Sequence, residues 1–285
     1  MQKTQYGFVP VATSEAGACL TPANWQEVGV QVLAYSLEAL LLKPGYSLLM
    51  QLTDFKQYLG WTGRLVLNAS QLKVNKEGLI KLKSPFDGSK VSFTVLELFA
   101  LISHLKPDVV LLPPKSLQFC PEFWQNWPSE TMVCMPADTP ALDSLEGNFG
   151  LYFSVENQTI NDDLIKKIST FSQIPRYVCG EVNLALLDRL IELGVDYIET
   201  DLPMRSAMLG EVYNLTGVIN VLEPAMQHQF ETIDLDCECP TCFSGFSRAY
   251  LHHLLQNTPL LCQRFLMQHN AYWAKTLHIQ KTIEL

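Results

Sequence analysis

Three cysteines lie close together in the stretch CECPTCFSGFSRAYLHHL, which begins at Cys237, although the chain of 285 residues contains only 8 cysteines. The spacing Cys237-x-Cys239-x-x-Cys242 lets three thiolates surround one ion, and a structural zinc site prefers a fourth ligand that completes a tetrahedron. Four histidines in the region that follows are candidates for that ligand: His252, His253, His269 and His278. The pattern predicts bound zinc rather than cysteines that merely pack.

The segment after the cysteines suggests how one of these histidines could reach the metal. It predicts a helix, a turn at residues 257–259 and a returning helix that contains His269. The return would place His269 beside the cysteines. We expect His252 and His253 to be helix residues that pack or form local hydrogen bonds and do not bind the metal.

Short strand-like runs alternate with helical patterns along most of the chain and would have to position these residues. Strand-like runs include GRLVLNAS, DVVLLPP, FGLYFSV and VDYIETD, and helical patterns include TVLELFALISHLKP and NLALLDRLIELG. This alternation predicts a parallel α/β fold, and roughly eight strands predict a closed TIM (β/α)8 barrel. Such barrels carry their chemistry at the C-terminal ends of the strands, where Asn68 and Glu199 stand.

Composition limits the class of protein. Hydrophobic residues make up 48% of the chain and charged residues 17%, as in a globular protein. A net charge of −9 argues against an extensive nucleic-acid surface but is compatible with a local basic strip. The N-terminal residues lack the apolar core of a signal peptide, and no apolar run reaches the roughly 18 residues of a membrane span. We therefore expect a cytoplasmic protein that does not enter a membrane.

The cysteine spacing, the segment Ser247–Leu254 (SRAYLHHL) and a later His-Asn pair resemble the zinc subdomain of the tRNA-guanine transglycosylases, the queuine tRNA-ribosyltransferase family. The segments at residues 7–45, 84–90 and 174–205 are similar to other parts of that family. The resemblance implies a TIM barrel with a zinc-binding subdomain inserted near the C-terminus, and the exchange of guanine in tRNA for queuine or its precursor. It implies four zinc ligands: Cys237, Cys239, Cys242 and His269. We place the barrel body at residues 1–230, and the zinc-binding subdomain with the closing barrel helix at 231–285.

The resemblance also shows which residues stand where family members do their chemistry. Glu199 takes the position of the nucleophilic aspartate, Asn68 that of the assisting aspartate, and Pro114 that of an aspartate that reads the base. Glutamate is one methylene longer than aspartate, and a displacement of about 1 Å at a reacting group can cost about a hundredfold in rate. Asparagine cannot exchange a proton at neutral pH. These differences predict a degenerate active site.

Other positions around this site follow the family pattern in part. Asp196 matches an aspartate that precedes the nucleophile, and Arg205 matches an arginine that follows it and could bind RNA weakly. Cys179 replaces a methionine under the base, and Met208 replaces a second arginine. Four basic residues suggest either a weak phosphate-binding strip or a solvated face: Arg205, Arg248, Arg264 and Lys275.

Three functions remain open at this level. The first is a pseudoenzyme in tRNA queuosine modification, an accessory or tRNA-binding subunit similar to the non-catalytic subunit of the eukaryotic queuine enzyme. It would form a homodimer, or a heterodimer with a catalytic transglycosylase, through about residues 243–275. The second is an active pentosyltransferase that uses Glu199 as its nucleophile, and the third is a barrel that does not act on tRNA. The expected interface anchors are Tyr250, Leu251, Leu254, Phe265 and Trp273.

Overall fold

Twelve strands are present in the computed structural model, which describes residues 7–120, 130–139, 148–155 and 162–283 and side chains up to residue 277. In chain order they are β1 (Gly7–Val9), β2 (Val32–Ser36), β3 (Arg64–Asn68), β4 (Leu79–Lys83), β5 (Lys90–Thr94), β6 (Val109–Leu111), β7 (Met132–Pro136), β8 (Phe149–Val155), β9 (Arg176–Gly180), β10 (Tyr197–Glu199), β11 (Glu211–Asn214) and β12 (Gly217–Asn220).

Eight of these strands form one parallel sheet in the order β1-β10-β9-β8-β7-β6-β3-β2. The two end strands meet, because Val11 and Ala34 form a parallel bridge just beyond β1. The Ala34 amide donates to the carbonyl of Pro10 at 3.0 Å, and the Ala12 amide donates to the carbonyl of Ala34 at 2.8 Å. The sheet is therefore an almost closed barrel, which confirms the predicted TIM-barrel class.

Helices follow most of the barrel strands. They are α1 (Pro22–Glu27), α2 (Leu37–Leu40), α3 (Tyr46–Leu49), α4 (Phe55–Leu59), α5 (Val95–Leu105), α6 (Asp162–Thr170), α7 (Leu184–Glu192), α8 (Leu202–Met208), α9 (Pro240–Phe243), α10 (Arg248–Asn257) and α11 (Pro259–Ile283). Thr21 caps α1 ahead of Pro22, and Thr94 caps α5 with Glu97 in a capping box. No helix in the described ranges combines the length and hydropathy needed to span a bilayer.

The strands alternate between two apolar environments. Inward-facing side chains form one buried cluster that includes Val32, Ala34, Tyr177 and Cys179. Their neighbours in sequence, such as Leu33 and Val178, face the helices and belong to other buried clusters. Because side chains alternate across a strand, two of every four successive residues point into the barrel. This alternation carries Asn68 and Glu199 to the inside at the C-terminal ends of their strands.

Two antiparallel hairpins are additions that the sequence reading did not anticipate. The β4–β5 hairpin lies in the connection between β3 and α5, and β11–β12 follows α8. The first has a recognisable signal, because Asp87-Gly88 separates two runs of alternating apolar and polar residues and Gly88 has a φ of 72°. The boundary at residues 230 and 231 stays a prediction.

Candidate active-site pocket and metal centre

A cavity of about 290 Å³ opens at the C-terminal ends of β3, β9 and β10. This is the end of the barrel where the sequence placed the chemistry. The lining residues are mostly polar, and they come from several βα connections: Val11, Ser14, Ser36, Asn68, Gln71, Cys179, Gly180, Glu181, Glu199, Thr200, Asp201 and Arg205.

Glu199 lies in the floor of this cavity with only 6% of its surface exposed. Asn68 Nδ2 donates to both carboxylate oxygens, at 2.8 Å to Oε1 and 3.0 Å to Oε2. The hydroxyl of Tyr177 donates to Oε2 at 2.6 Å. Both oxygens of Glu199 are therefore engaged by donors from β3 and β9.

The donors are themselves held in place. Asn68 Oδ1 accepts from the backbone amide of Ser70 at 2.9 Å, and this bond orients the Asn68 side chain so that its Nδ2 faces Glu199. The ring of Tyr177 stacks on that of Tyr197, with 5.5 Å between ring centres. The sequence reading missed Tyr177. Its position two residues before Cys179 on an inward-facing strand is the signal that could have identified it.

Burial raises the pKa of Glu199 above its ordinary value, and the hydrogen bonds from Tyr177 and Asn68 oppose that rise. Burial, followed by the nearby Glu199 charge, raises the pKa of Tyr177 well above its ordinary value. Tyr177 therefore remains a donor at neutral pH. Burial and the Glu199 charge also raise the pKa of the Cys179 thiol to about 12, so this thiol remains protonated.

The other residues singled out from the sequence have different environments. Arg205 Nε lies 2.8 Å from Asp201 Oδ1 at the edge of the cavity, so its charge is partly neutralised. Asp196 is not in the cavity lining: it stands just before β10 and accepts from the Arg176 backbone amide at 2.9 Å. Pro114 borders a separate cavity of about 260 Å³ near the ends of β7 and β8.

The predicted metal ligands meet at one point. The ligand atoms of Cys237, Cys239, Cys242 and His269 all lie within 4.8 Å of one another. The three sulfurs lie 3.7, 3.3 and 3.4 Å from His269 Nδ1. Zn–S bonds of about 2.3 Å and Zn–N bonds of about 2.0 Å in a tetrahedron separate sulfur and nitrogen by roughly 3.5 Å. The group therefore fits a tetrahedral ion such as zinc.

Local backbone structure presents these ligands. Cys239 is the N-cap of α9, and its sulfur accepts from the amide of Cys242 at 3.3 Å. His269 is fully buried on α11, where its Nε2 donates to the carbonyl of Tyr213 at 2.6 Å. That bond leaves the Nδ1 lone pair facing the three sulfurs. Asn270, the next residue, donates to the carbonyls of Pro203 and Glu211, both at 2.9 Å.

The other candidate histidines are not part of the cluster. His252 is buried: its Nδ1 donates to the carbonyl of Val221 at 2.7 Å, and its Nε2 lies 2.9 Å from Gln256 Nε2 on the same helix. His253 is exposed on α10. The side chain of His278 lies outside the described part of the chain.

Comparison with known proteins relates the chain to one family. The family model described as queuine tRNA-ribosyltransferase matches residues 4–118 and 158–283. The curated queuine tRNA-ribosyltransferase of Methylacidiphilum infernorum is 24% identical over 323 residues, which cover 95% of this chain and 85% of that protein. The Thermotoga maritima protein of the same name is 23% identical over 326 residues, which cover 97% and 86%. The one from Nitrosomonas eutropha is 24% identical over 322 residues, which cover 97% and 89%.

Proposed function

Because this chain belongs to the queuine tRNA-ribosyltransferase family, we propose that it acts in the queuosine modification of tRNA as a non-catalytic accessory subunit. Family membership supports the pathway and the tRNA substrate. The arrangement around Glu199 is the observation that supports a non-catalytic role. We further propose that the protein acts in the cytoplasm, together with its tRNA substrate.

A nucleophilic carboxylate must direct a free oxygen lone pair at the anomeric carbon of the ribose. It then forms a C–O bond while the bond to the departing base breaks. Glu199 accepts three hydrogen bonds, from Asn68 and Tyr177, while almost fully buried. These donors stabilise the negative charge on both carboxylate oxygens and fix their orientation, which weakens Glu199 as a nucleophile. Asn68 also cannot take up or release a proton as the assisting aspartate of the family would.

One observation favours the alternative of an active enzyme. Glu199 borders a cavity at the catalytic end of the barrel, and Glu181 and Asp201 line the same cavity. Its volume of about 290 Å³ lies near the lower end of the range for small-molecule sites, about 300–1,000 Å³. A substrate could therefore approach Glu199 from the cavity.

For the metal centre we propose one structural zinc ion, held by Cys237, Cys239, Cys242 and His269. Four protein ligands close the coordination sphere, so no position remains for an activated water. The ion would join α9, through two cysteines, to α11, through His269. The hydrogen bond from Thr241 Oγ1 to the carbonyl of Phe265, at 2.7 Å, already links the same two helices.

For the partner we propose a second subunit, either a copy of this chain or a catalytic transglycosylase, bound through about residues 243–275. Large apolar side chains are exposed there and nearby: Phe230, Leu235, Phe243, Tyr250, Leu260 and Leu261. Where exposed apolar side chains form a contiguous patch, they mark an interaction site, and these residues are candidates for one. Leu251 is wrong as an anchor, because it is fully buried in the core of its own chain. Phe243, of which 87% is exposed, is a better candidate.

A guanine-exchange assay tests the proposal. Incubation with an unmodified, guanine-containing tRNA and labelled guanine should give no incorporation by the protein alone, and a denaturing gel should show no covalent tRNA adduct. Incorporation that disappears in Glu199→Gln would establish the active-enzyme alternative. Addition of a catalytic transglycosylase from the same cell should give a one-to-one complex by size-exclusion chromatography with light scattering. A protein that stays monomeric and does not bind such an enzyme contradicts the accessory role.

A further inference from the structure

The β4–β5 hairpin and the turn before it have the opposite charge to the rest of the molecule. Residues 73–90 contain five lysines and two carboxylates, whereas the whole chain contains 20 basic and 29 acidic residues. The hairpin therefore forms a local basic strip on an acidic protein. The lysines are all exposed: Lys73, Lys76, Lys81, Lys83 and Lys90.

The strand register places charged residues on one face. Ile80 and Leu82 face inward and are buried, so Lys81 and Lys83 face solvent. Lys83 pairs directly with Lys90 across the hairpin. Like charges at directly opposed positions destabilise a strand pair, and an anion bound between them would relieve the repulsion.

No carboxylate in the described residues neutralises this face. The ion pairs in the described part of the chain involve basic residues outside the hairpin, namely Lys56, Arg176, Arg189 and Arg205. The two acids of this segment have other partners: the Glu77 carboxylate accepts from Asn75 Nδ2 at 3.5 Å, and Asp87 accepts from the amide and hydroxyl of Ser89 at 3.1 and 2.8 Å. The lysines are therefore available to an external anion.

The arginines of the strip suggested by the sequence are engaged elsewhere. Arg205 pairs with Asp201. Arg248 donates to the backbone carbonyls of Thr232 and Ile233 at 3.0 and 2.9 Å. These guanidinium groups serve the fold, which leaves the hairpin lysines as the better phosphate contacts.

An aromatic side chain stands at the tip of the hairpin. Phe86 has 75% of its surface exposed, and Lys43 Nζ lies 5.5 Å from the centre of its ring. An exposed aromatic face flanked by lysines is the combination that binds single-stranded nucleic acid, since bases stack on the ring while the cations meet phosphates. Such a residue has no role in packing its own chain.

The chain segment that leads to the hairpin starts at the cavity. Asn68 and Gln71 line the cavity, and Lys73 follows two residues later. The connection lies at the C-terminal end of β3, on the same side of the barrel as Glu199.

We propose that the β4–β5 hairpin is an RNA-binding element, in which Lys83, Lys90 and their neighbours contact phosphates and Phe86 stacks on an unpaired base. This inference builds on the proposed function, because it names the surface by which the subunit would hold tRNA. The positive charge, the absence of neutralising carboxylates and the exposed ring are independent observations that favour the same ligand.

Binding of an unmodified tRNA transcript, measured by fluorescence anisotropy between about 50 and 200 mM salt, tests the phosphate contacts. The double variant Lys83→Gln, Lys90→Gln should bind more weakly and should lower the salt slope by about 1.4, since each phosphate contact contributes about 0.7 on single strands. The matched control is Lys106→Gln, Lys166→Gln, which removes two exposed lysines elsewhere. An equal effect of both double variants overturns the proposal.

Phe86→Ala tests the stacking contact separately. It should weaken tRNA binding by roughly five- to 150-fold, which corresponds to about 1–3 kcal/mol per stacked base, and leave binding of a fully paired RNA duplex unchanged. Phe86→Tyr should retain tRNA binding because the aromatic face remains. Equal loss on duplex and tRNA, or none on either, refutes the stacking role.

Two failures can be told apart. If the wild type binds tRNA and the hairpin variants bind it equally well, the hairpin proposal fails while the proposed function stands. If the wild type binds no RNA at all, the hairpin proposal fails as well, and the exchange and complex-formation experiments decide the accessory role. Unchanged circular dichroism spectra should accompany each hairpin variant, because the substituted side chains are exposed.

Discussion

Replacement of Asn68 by aspartate would place a second carboxyl group against Glu199 inside the barrel. In the wild type, Asn68 Nδ2 donates to both oxygens of Glu199. The substitution removes this donor but keeps the size of the side chain, so it changes charge and hydrogen bonding rather than packing. Glu199 is almost fully buried, and solvent screens the new pair weakly.

The size of the effect follows from a comparison of two costs. Two unit charges about 3 Å apart repel by about 5–6 kcal/mol at an effective dielectric constant of about 20. Retention of one proton costs only about 1.4 kcal/mol for each pH unit above the ordinary pKa, so the pair shares a proton. From an ordinary glutamate pKa of about 4.3, this cost is at most about 4 kcal/mol at pH 7. Burial already raises the pKa of Glu199 in the wild type, so the difference between the proteins stays below that bound.

The direction of the pH dependence follows from the number of bound protons. Above about pH 5, the folded variant keeps a proton that its unfolded chain has released, so its stability relative to the wild type falls as the pH rises. Urea unfolding followed by tryptophan fluorescence measures the difference, because Trp25 and Trp61 are buried. We expect the gap between the two proteins to widen from about pH 5 to about pH 8.

Asn214→Asp is the matched control, since it changes the unfolded chain in the same way. The Asn214 carbonyl oxygen accepts from the amide and hydroxyl of Thr216, both at 2.9 Å, and aspartate retains those bonds. This variant should follow the wild type across the pH range. A gap for Asn68→Asp that does not change with pH, or that Asn214→Asp reproduces, would refute the reasoning about Glu199.

Three further predictions concern the same two sites. Cys242→Ser should lose its zinc by elemental analysis and melt at a lower temperature, because the metal joins α9 to α11; a variant that keeps its zinc contradicts the ligand set. Glu199→Gln should gain stability relative to the wild type as the pH rises, since a carboxyl with a raised folded pKa loses its contribution as the pH rises through that pKa. Urea unfolding at several pH values measures this difference in stability. A difference that does not change with pH would contradict a raised pKa of Glu199 in the folded protein. Tyr177→Phe removes a donor to Glu199 and should lower the free energy of unfolding by roughly 1.5–3 kcal/mol at neutral pH. An unchanged free energy of unfolding would mean that the bond is not formed.

The metal centre and the fold class could be predicted from the sequence because their signals are local. Cys237, Cys239 and Cys242 lie within six residues of one another, so their spacing alone implies that they bind the same metal ion. Alternating strand and helix patterns each span a few residues, and their order along the chain implies a parallel barrel. The returning helix suggested His269 as the fourth ligand and the family resemblance selected it; the structure brings the four side chains together.

Contacts between distant residues needed the tertiary structure. Glu199 meets Asn68 across 131 positions of sequence and Tyr177 across 22, because barrel closure brings β3, β9 and β10 to a common interior. No local pattern encodes which inward-facing side chains will touch. Asp196 illustrates the same limit: the sequence aligned it with the catalytic segment, yet its carboxylate binds Arg176 away from the cavity.

The β4–β5 hairpin shows how local and tertiary information divide. Its alternating residues and Asp-Gly turn are written in the sequence, and so is its surplus of lysine. Only the folded chain decides that Lys83 stands opposite Lys90, that no described carboxylate pairs with them and that Phe86 is exposed. Residue types and their periodicity are properties of the chain. The tertiary structure decides which charges remain unpaired, because that depends on how strands distant in sequence pack together.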